Sequence, residues 1–133
     1  MLATPQKFLL FGLLGLLALP AQALSLGDIK VASALNQPLL AEIPVYDAEP
    51  ASLLDATLEV AGHEEHSRFG IEKTAVLDKL RFKVVRNQQG EFVIRLSTQA
   101  AVREPVLEFV LQIDHRSNKL LRTYAIHLDP PGL

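Results

Sequence analysis

Arg103-Glu104-Pro105-Val106-Leu107-Glu108-Phe109-Val110-Leu111-Gln112-Ile113-Asp114 is followed, after a short polar break, by Lys119-Leu120-Leu121-Arg122-Thr123-Tyr124-Ala125-Ile126-His127-Leu128-Asp129-Pro130-Pro131. Val106 to Ile113 and Leu120 to Leu128 each have the length of a strand, and His115-Arg116-Ser117-Asn118 between them is polar and turn-prone. The pair reads as a terminal β-hairpin closed by a double proline. Alternation places Leu107, Phe109, Leu111 and Ile113 on one face, toward a core shared with Leu120, Tyr124, Ile126 and Leu128. A hairpin this apolar does not stand alone in water, so the rest of the chain should supply its partner sheet.

Upstream segments fit that expectation. Leu24 to Ala34 carries Leu26, Ile29 and Val31 among polar residues and reads as a first strand. Asn36-Gln37-Pro38 reads as a turn and Leu39 to Tyr46 as a second strand. Its Pro44 removes a ladder donor, so that strand is expected at an edge or interrupted there. Asp47 to Leu54 suggests a short helical turn with an acidic start and Pro50 near its first position. Thr57 to Ala61 alternates as a short strand, and Gly62 to Gly70 suggests one helical turn closed by Gly70. Leu80-Arg81-Phe82-Lys83-Val84-Val85 alternates cleanly and Phe92 to Leu96 should pair back on it across the Asn87–Gly90 loop. Gln99 to Pro105 is left as the crossover into the final hairpin. Strands at this spacing argue for a β-sandwich or small barrel. The expectation is one all-β domain, a small β-sandwich (immunoglobulin-like) of about seven strands with one or two short helical turns.

The first residues read differently. Lys7, the apolar run Phe8 to Leu19 and Ala21-Gln22-Ala23 form the three parts of a secretory signal cleaved after Ala23. The apolar run falls short of the ~20 residues a membrane helix needs. Removing residues 1–23 of 133 leaves 110, and loses one lysine and no acid, so the net charge moves from −2 to about −3. Part of the 49% apolar content belongs to this leader. No further apolar run of spanning length follows, so no membrane span is expected after signal removal. The charge gives no reason to expect nucleic-acid binding. The chain has no cysteine, hence no disulfide and no lipid-accepting Cys, which suits a bacterial periplasm.

Chemistry is sparse. His63-Glu64-Glu65-His66 offers two histidines three apart, but a metalloprotease helix needs spacing of four and a longer apolar face. It reads as a solvated polar turn, with metal or pH sensing as the sharper alternative. His115 reads as a surface-loop residue and His127 as solvent-facing. Tyr46 and Tyr124 read as strand aromatics packing into the core rather than as ligand-stacking rings. Arg81, Lys83 and Arg95 form a basic stripe on the solvent faces of neighbouring strands, able to meet an acidic partner or a cell-wall polymer, or simply to guard a sheet. No Gly-x-Ser-x-Gly elbow, phosphate-cradling glycine loop or Cys nucleophile occurs, and Glu64-Glu65 lie in polar surroundings unsuited to acid catalysis. The expectation is a non-enzymatic protein with no cofactor and no metal.

Leu26-Gly27-Asp28-Ile29-Lys30-Val31, Ser33-Ala34-Leu35-Asn36-Gln37-Pro38-Leu39 and Ala41-Glu42-Ile43 resemble the opening of the FimV/HubP family's N-terminal periplasmic domain. Arg103-Glu104-Pro105, the Phe109 strand, Leu120-Leu121-Arg122-x-Tyr124 and Leu128-Asp129-Pro130-Pro131 resemble its end. Phe69-Gly70-Ile71 and Leu80-Arg81-Phe82 fall where that family has a short helix and its next strand. The resemblance covers nearly all of residues 24–131. It implies a short stand-alone form of a module linked to type IV pilus assembly, twitching motility or cell-pole organisation, with a periplasmic or envelope protein as partner. The family's LysM module, transmembrane helix and cytoplasmic repeats have no counterpart among these residues, and His115-Arg116 stands where the family has Trp-Pro. Cell-wall or small-ligand binding by the Arg81, Lys83 and Arg95 face is the alternative reading.

Overall fold

The computed structural model describes residues 25–46 and 53–132, which form two packed antiparallel sheets. The described strands are β1 (Ser25–Leu26), β2 (Lys30–Val31), β3 (Gln37–Tyr46), β4 (Thr57–Val60), β5 (Arg81–Arg86), β6 (Phe92–Val102), β7 (Val106–His115) and β8 (Asn118–His127). A six-residue helix, α1 (His63–Arg68), and a 3-10 turn at Ala75–Lys79 lie between β4 and β5. The first sheet has the order β1-β3-β6-β5, with β2 also on β3, and the second has the order β4-β7-β8. An all-β sandwich is therefore what the chain forms. The proposed leader and the Asp47–Ser52 part of the expected acidic turn lie outside the described residues. The 3-10 turn was not foreseen.

The terminal hairpin is the centre of the second sheet. Its register runs from Val106↔His127 to His115↔Asn118, leaving Arg116-Ser117 as the turn, with Arg116 at φ 56. The alternation argument holds for β7: Leu107, Phe109, Leu111 and Ile113 are all buried. Phe109 meets Phe82 of the first sheet at 6.2 Å and Tyr124 at 5.9 Å between ring centroids, in tilted and stacked geometries. The Phe82–Phe109 contact joins the two sheets. Tyr124 and Ile126 of β8 and Leu128 just after it are buried, but Leu120 is 36% exposed, because it sits at the turn end of an edge strand. Its expected place in the core is corrected.

Pro44 explains the split at the start of the chain. β3 is flanked on both sides, by β1 and β2 and by β6, so it is no edge. The Pro44 carbonyl accepts from Gly27 N–H at 2.9 Å, so its donorless nitrogen faces the same side. The expected first strand consequently breaks there into β1 and β2. β3 itself runs unbroken from Gln37 to Tyr46, so it is neither at an edge nor interrupted at Pro44, and both parts of that expectation are corrected.

β6 also differs from expectation. It continues to Val102, pairing Val102 with Gln37 and Ala101 with Pro38, so half of the presumed crossover is strand. Between Pro38 and Leu40 the register shifts, and Leu39 loses its strand partner. Buried Thr98 repairs this: its Oγ1 accepts from Leu39 N–H and donates to the Ala100 carbonyl, both at 2.8 Å. A polar residue interior to an apolar run is what allows the bulge.

Candidate functional site

Leu39, Ala41, Ile43 and Val45 of β3 are buried, which leaves Glu42, Pro44 and Tyr46 on the outer face of the first sheet. The registers align Lys83↔Arg95, Arg95↔Glu42 and Glu42↔Lys30, one row across four strands. Arg81 is one step away, opposite Ser97. Arg95 Nη2 lies 3.6 Å from Glu42 Oε1, with side chains 43% and 35% exposed. Such a pair stabilises by about 0–1 kcal/mol, but it offsets the Arg95 charge. Of the three sequence-expected residues, the fold sets Lys83 beside Arg95 with Arg81 one step along, and Glu42 borders the basic stripe on its Arg95 side.

A groove of about 540 Å³ opens beside this row, lined by Glu42, Pro44, Tyr46, Val93, Arg95 and the 87–91 loop. Arg81 and Lys83 lie outside it. The loop is shaped by Asn87 Oδ1, which accepts from Gln89 N–H at 3.0 Å and Glu91 N–H at 2.9 Å. Arg86 places its guanidinium 4.5 Å from the centre of the Phe92 ring. Tyr46, expected in the core, is 48% exposed at the groove's rim. It occupies the outward phase of β3 with Glu42 and Pro44. This surface mixes an apolar floor with charged and amide walls, which suits contact with a chain or polymer more than enclosure of a reacting molecule.

The paired histidines do not converge. His63 is exposed, whereas His66 is buried, which corrects the reading of this turn as solvated throughout. His66 Nδ1 lies 2.9 Å from the Gly62 carbonyl, and its Nε2 accepts from Val110 N–H at 3.2 Å. The imidazole is therefore the tautomer with its proton on Nδ1. β4 ends at Val60, Ala61 N–H reaches the Val110 carbonyl at 2.9 Å, and the ring supplies the next acceptor along β7. His66 stands in for a missing strand residue. Among the described residues no three His, Cys, Asp or Glu side chains gather as metal ligands. His115 is half-buried at the end of β7, not a plain loop residue, and its Nε2 is buried without a partner.

Two ionisable groups are displaced. The Glu65 carboxyl is held below its usual range, chiefly by hydrogen bonding to its own backbone N–H, and also by Lys119 at 3.5 Å. Burial pushes the Tyr124 hydroxyl up. That hydroxyl donates to the Gly27 carbonyl at 3.1 Å, while the Arg122 guanidinium donates to the Leu26 carbonyl and lies over the Tyr124 ring. Gly27 itself sits under Tyr46 and Pro44, where an added Cβ would come within 3.0 Å of Tyr46 Cε2. This clamp between β8 and the opening segment was not anticipated; the glycine interrupting an alternating strand was its one sequence signal.

Comparison with known proteins points one way. A family model described as the FimV N-terminal Ig-like domain matches residues 24–131. The motility hub protein FimV from two Pseudomonas aeruginosa strains, PAO1 and UCBPP-PA14, is 38% identical over 111 residues, 84% of this chain. The chain spans about 12% of the length of those relatives. No solved structure matches.

Proposed function

From the premise that the chain belongs to the family of FimV N-terminal Ig-like domains, we propose that it is a non-enzymatic protein-interaction module of the periplasm, working in a pilus- or motility-related assembly. The observation that carries this is 38% identity over 111 residues to a relative named for motility. The site supports it by what it offers, an open sheet face with mixed lining. Among the described residues no helix is long and apolar enough to cross a membrane. The leader ending at Ala23 supports export, with 24–131 as the exported domain. The partner is a periplasmic or envelope protein.

The test is deletion of the gene, scored by twitching motility, together with in-cell crosslinking of the tagged chain. Impaired motility and recovery of envelope proteins are expected. Normal motility with no crosslinked partner refutes the proposal.

A second reading draws on Arg81 and Lys83, which form no ion pair among the described residues. They would hold an anionic cell-wall polymer. Sedimentation with purified sacculi at low salt, where charge attraction is strongest, decides it: no co-pelleting ends that reading.

A further inference from the structure

β8 is a ten-residue strand at the edge of the second sheet. Leu128 N–H bonds the Pro105 carbonyl at 2.8 Å, which with the hairpin register turns the backbone groups of Lys119, Leu121, Thr123, Ala125 and His127 away from β7. Among the described residues no strand pairs with them. Long edges are usually guarded, and the others here are. β5 carries Arg81, Lys83 and Arg86, β4 has four residues, and β7 beyond β4 has its Val110 N–H taken by His66 and carries the exposed Glu108. The cations of β8 are drawn off its edge instead. Lys119 reaches Glu65 at 3.5 Å, and Arg122 turns inward to the Leu26 carbonyl. The middle of the open edge presents Thr123 and Ala125, both small and uncharged.

We infer that this edge pairs with the same edge of a second copy of the chain, antiparallel about Thr123. In that register Thr123 faces its own copy, Leu121 faces Ala125 and Lys119 faces His127. On the inner face Arg122 meets Tyr124, the ring type over which it already lies. No two side chains of the same permanent charge stand opposite, and the two three-stranded sheets become one of six. Each narrow pair adds two main-chain hydrogen bonds, about ten in all. The inference rests on the reading of this domain as an interaction module and names its first partner.

The test uses the full chain purified from the periplasm of an expressing host, its mass followed by analytical ultracentrifugation across a concentration series. The wild type should double in mass as concentration rises. Thr123→Lys and Thr123→Glu should each stay monomeric, since each sets like charge against like, and a one-to-one mixture should restore the dimer. Thr123→Pro, which removes a donor from the open edge alone, should also be monomeric with its near-native thermal transition kept. A wild type that is monomeric throughout, or charge variants that dimerise as it does, overturns the inference. If the wild type is monomeric yet Thr123→Pro abolishes motility, the edge takes another protein's strand; the second-copy inference falls and the proposed function stands.

Discussion

Replacing His66 by leucine tests whether the imidazole substitutes for strand. The leucine fills much of the same volume but can accept nothing. Val110 N–H then stays buried and unpaired, at a cost of about 1–3 kcal/mol. The bond to the Gly62 carbonyl is also lost, about 0.5–1.5 kcal/mol, though that carbonyl keeps the His66 backbone N–H at 3.1 Å. Together these predict a loss of about 1.5–4.5 kcal/mol, and at roughly 4–5 °C per kcal/mol for a domain of this size the melting temperature should fall by about 6–23 °C. Urea unfolding with an unchanged slope gives the free energy, and amide exchange at Val110 should speed up beyond the global change. His66→Gln, whose amide oxygen can accept from Val110, should recover part of the loss, and His63→Ala should stay within about 0.5 kcal/mol of wild type. If His66→Leu is as stable as wild type within that margin, the ring caps nothing and the argument fails.

Two further outcomes follow from buried polar groups. Thr98→Val keeps the shape and removes the acceptor for Leu39 N–H, so unfolding free energy should drop by about 1–3 kcal/mol; no change would mean water or a relaxed bulge satisfies that donor. The Tyr124 hydroxyl ionises less readily when folded, so the stability it contributes is fully present below about pH 10, its unfolded value, and is lost as pH rises through the raised folded value. Tyr124→Phe should flatten the alkaline loss of stability while lowering stability at neutral pH by about 0.5–1.5 kcal/mol through the lost bond to Gly27. An alkaline limb of unchanged depth in the phenylalanine variant would assign it to other groups.

What was legible in the sequence is what alternation encodes. A strand with one face in the core must repeat its apolar residues every second position, so Leu107 to Ile113 of β7 and Leu80, Phe82 and Val84 around β5 announced both their strands and their inward faces. Tyr46 was expected inside on its residue type alone, although it shares the outward phase of Glu42 and Pro44 along β3. Gly70 announced a helix end by the backbone conformation it permits, at φ 70, whereas the donor Pro44 lacks broke the neighbouring segment into β1 and β2 and left its own strand whole.

The tertiary structure decided everything that depends on which chain segment lies across the sheet. His66 sits among polar neighbours, and only the end of β4 beside Val110 makes its ring a buried acceptor. Arg122 belongs to a pattern that could face solvent, yet the carbonyl of Leu26, nearly a hundred residues away, draws it inward. The candidate site divides the same way. The sequence placed Arg81, Lys83 and Arg95 on outward faces, because period two does so strand by strand. That Glu42 borders the stripe, that only Arg95 of the three reaches the groove, and that one side of β8 has no strand beside it among the described residues are matters of register and strand order. Those follow from long-range pairing, which no local repeat records.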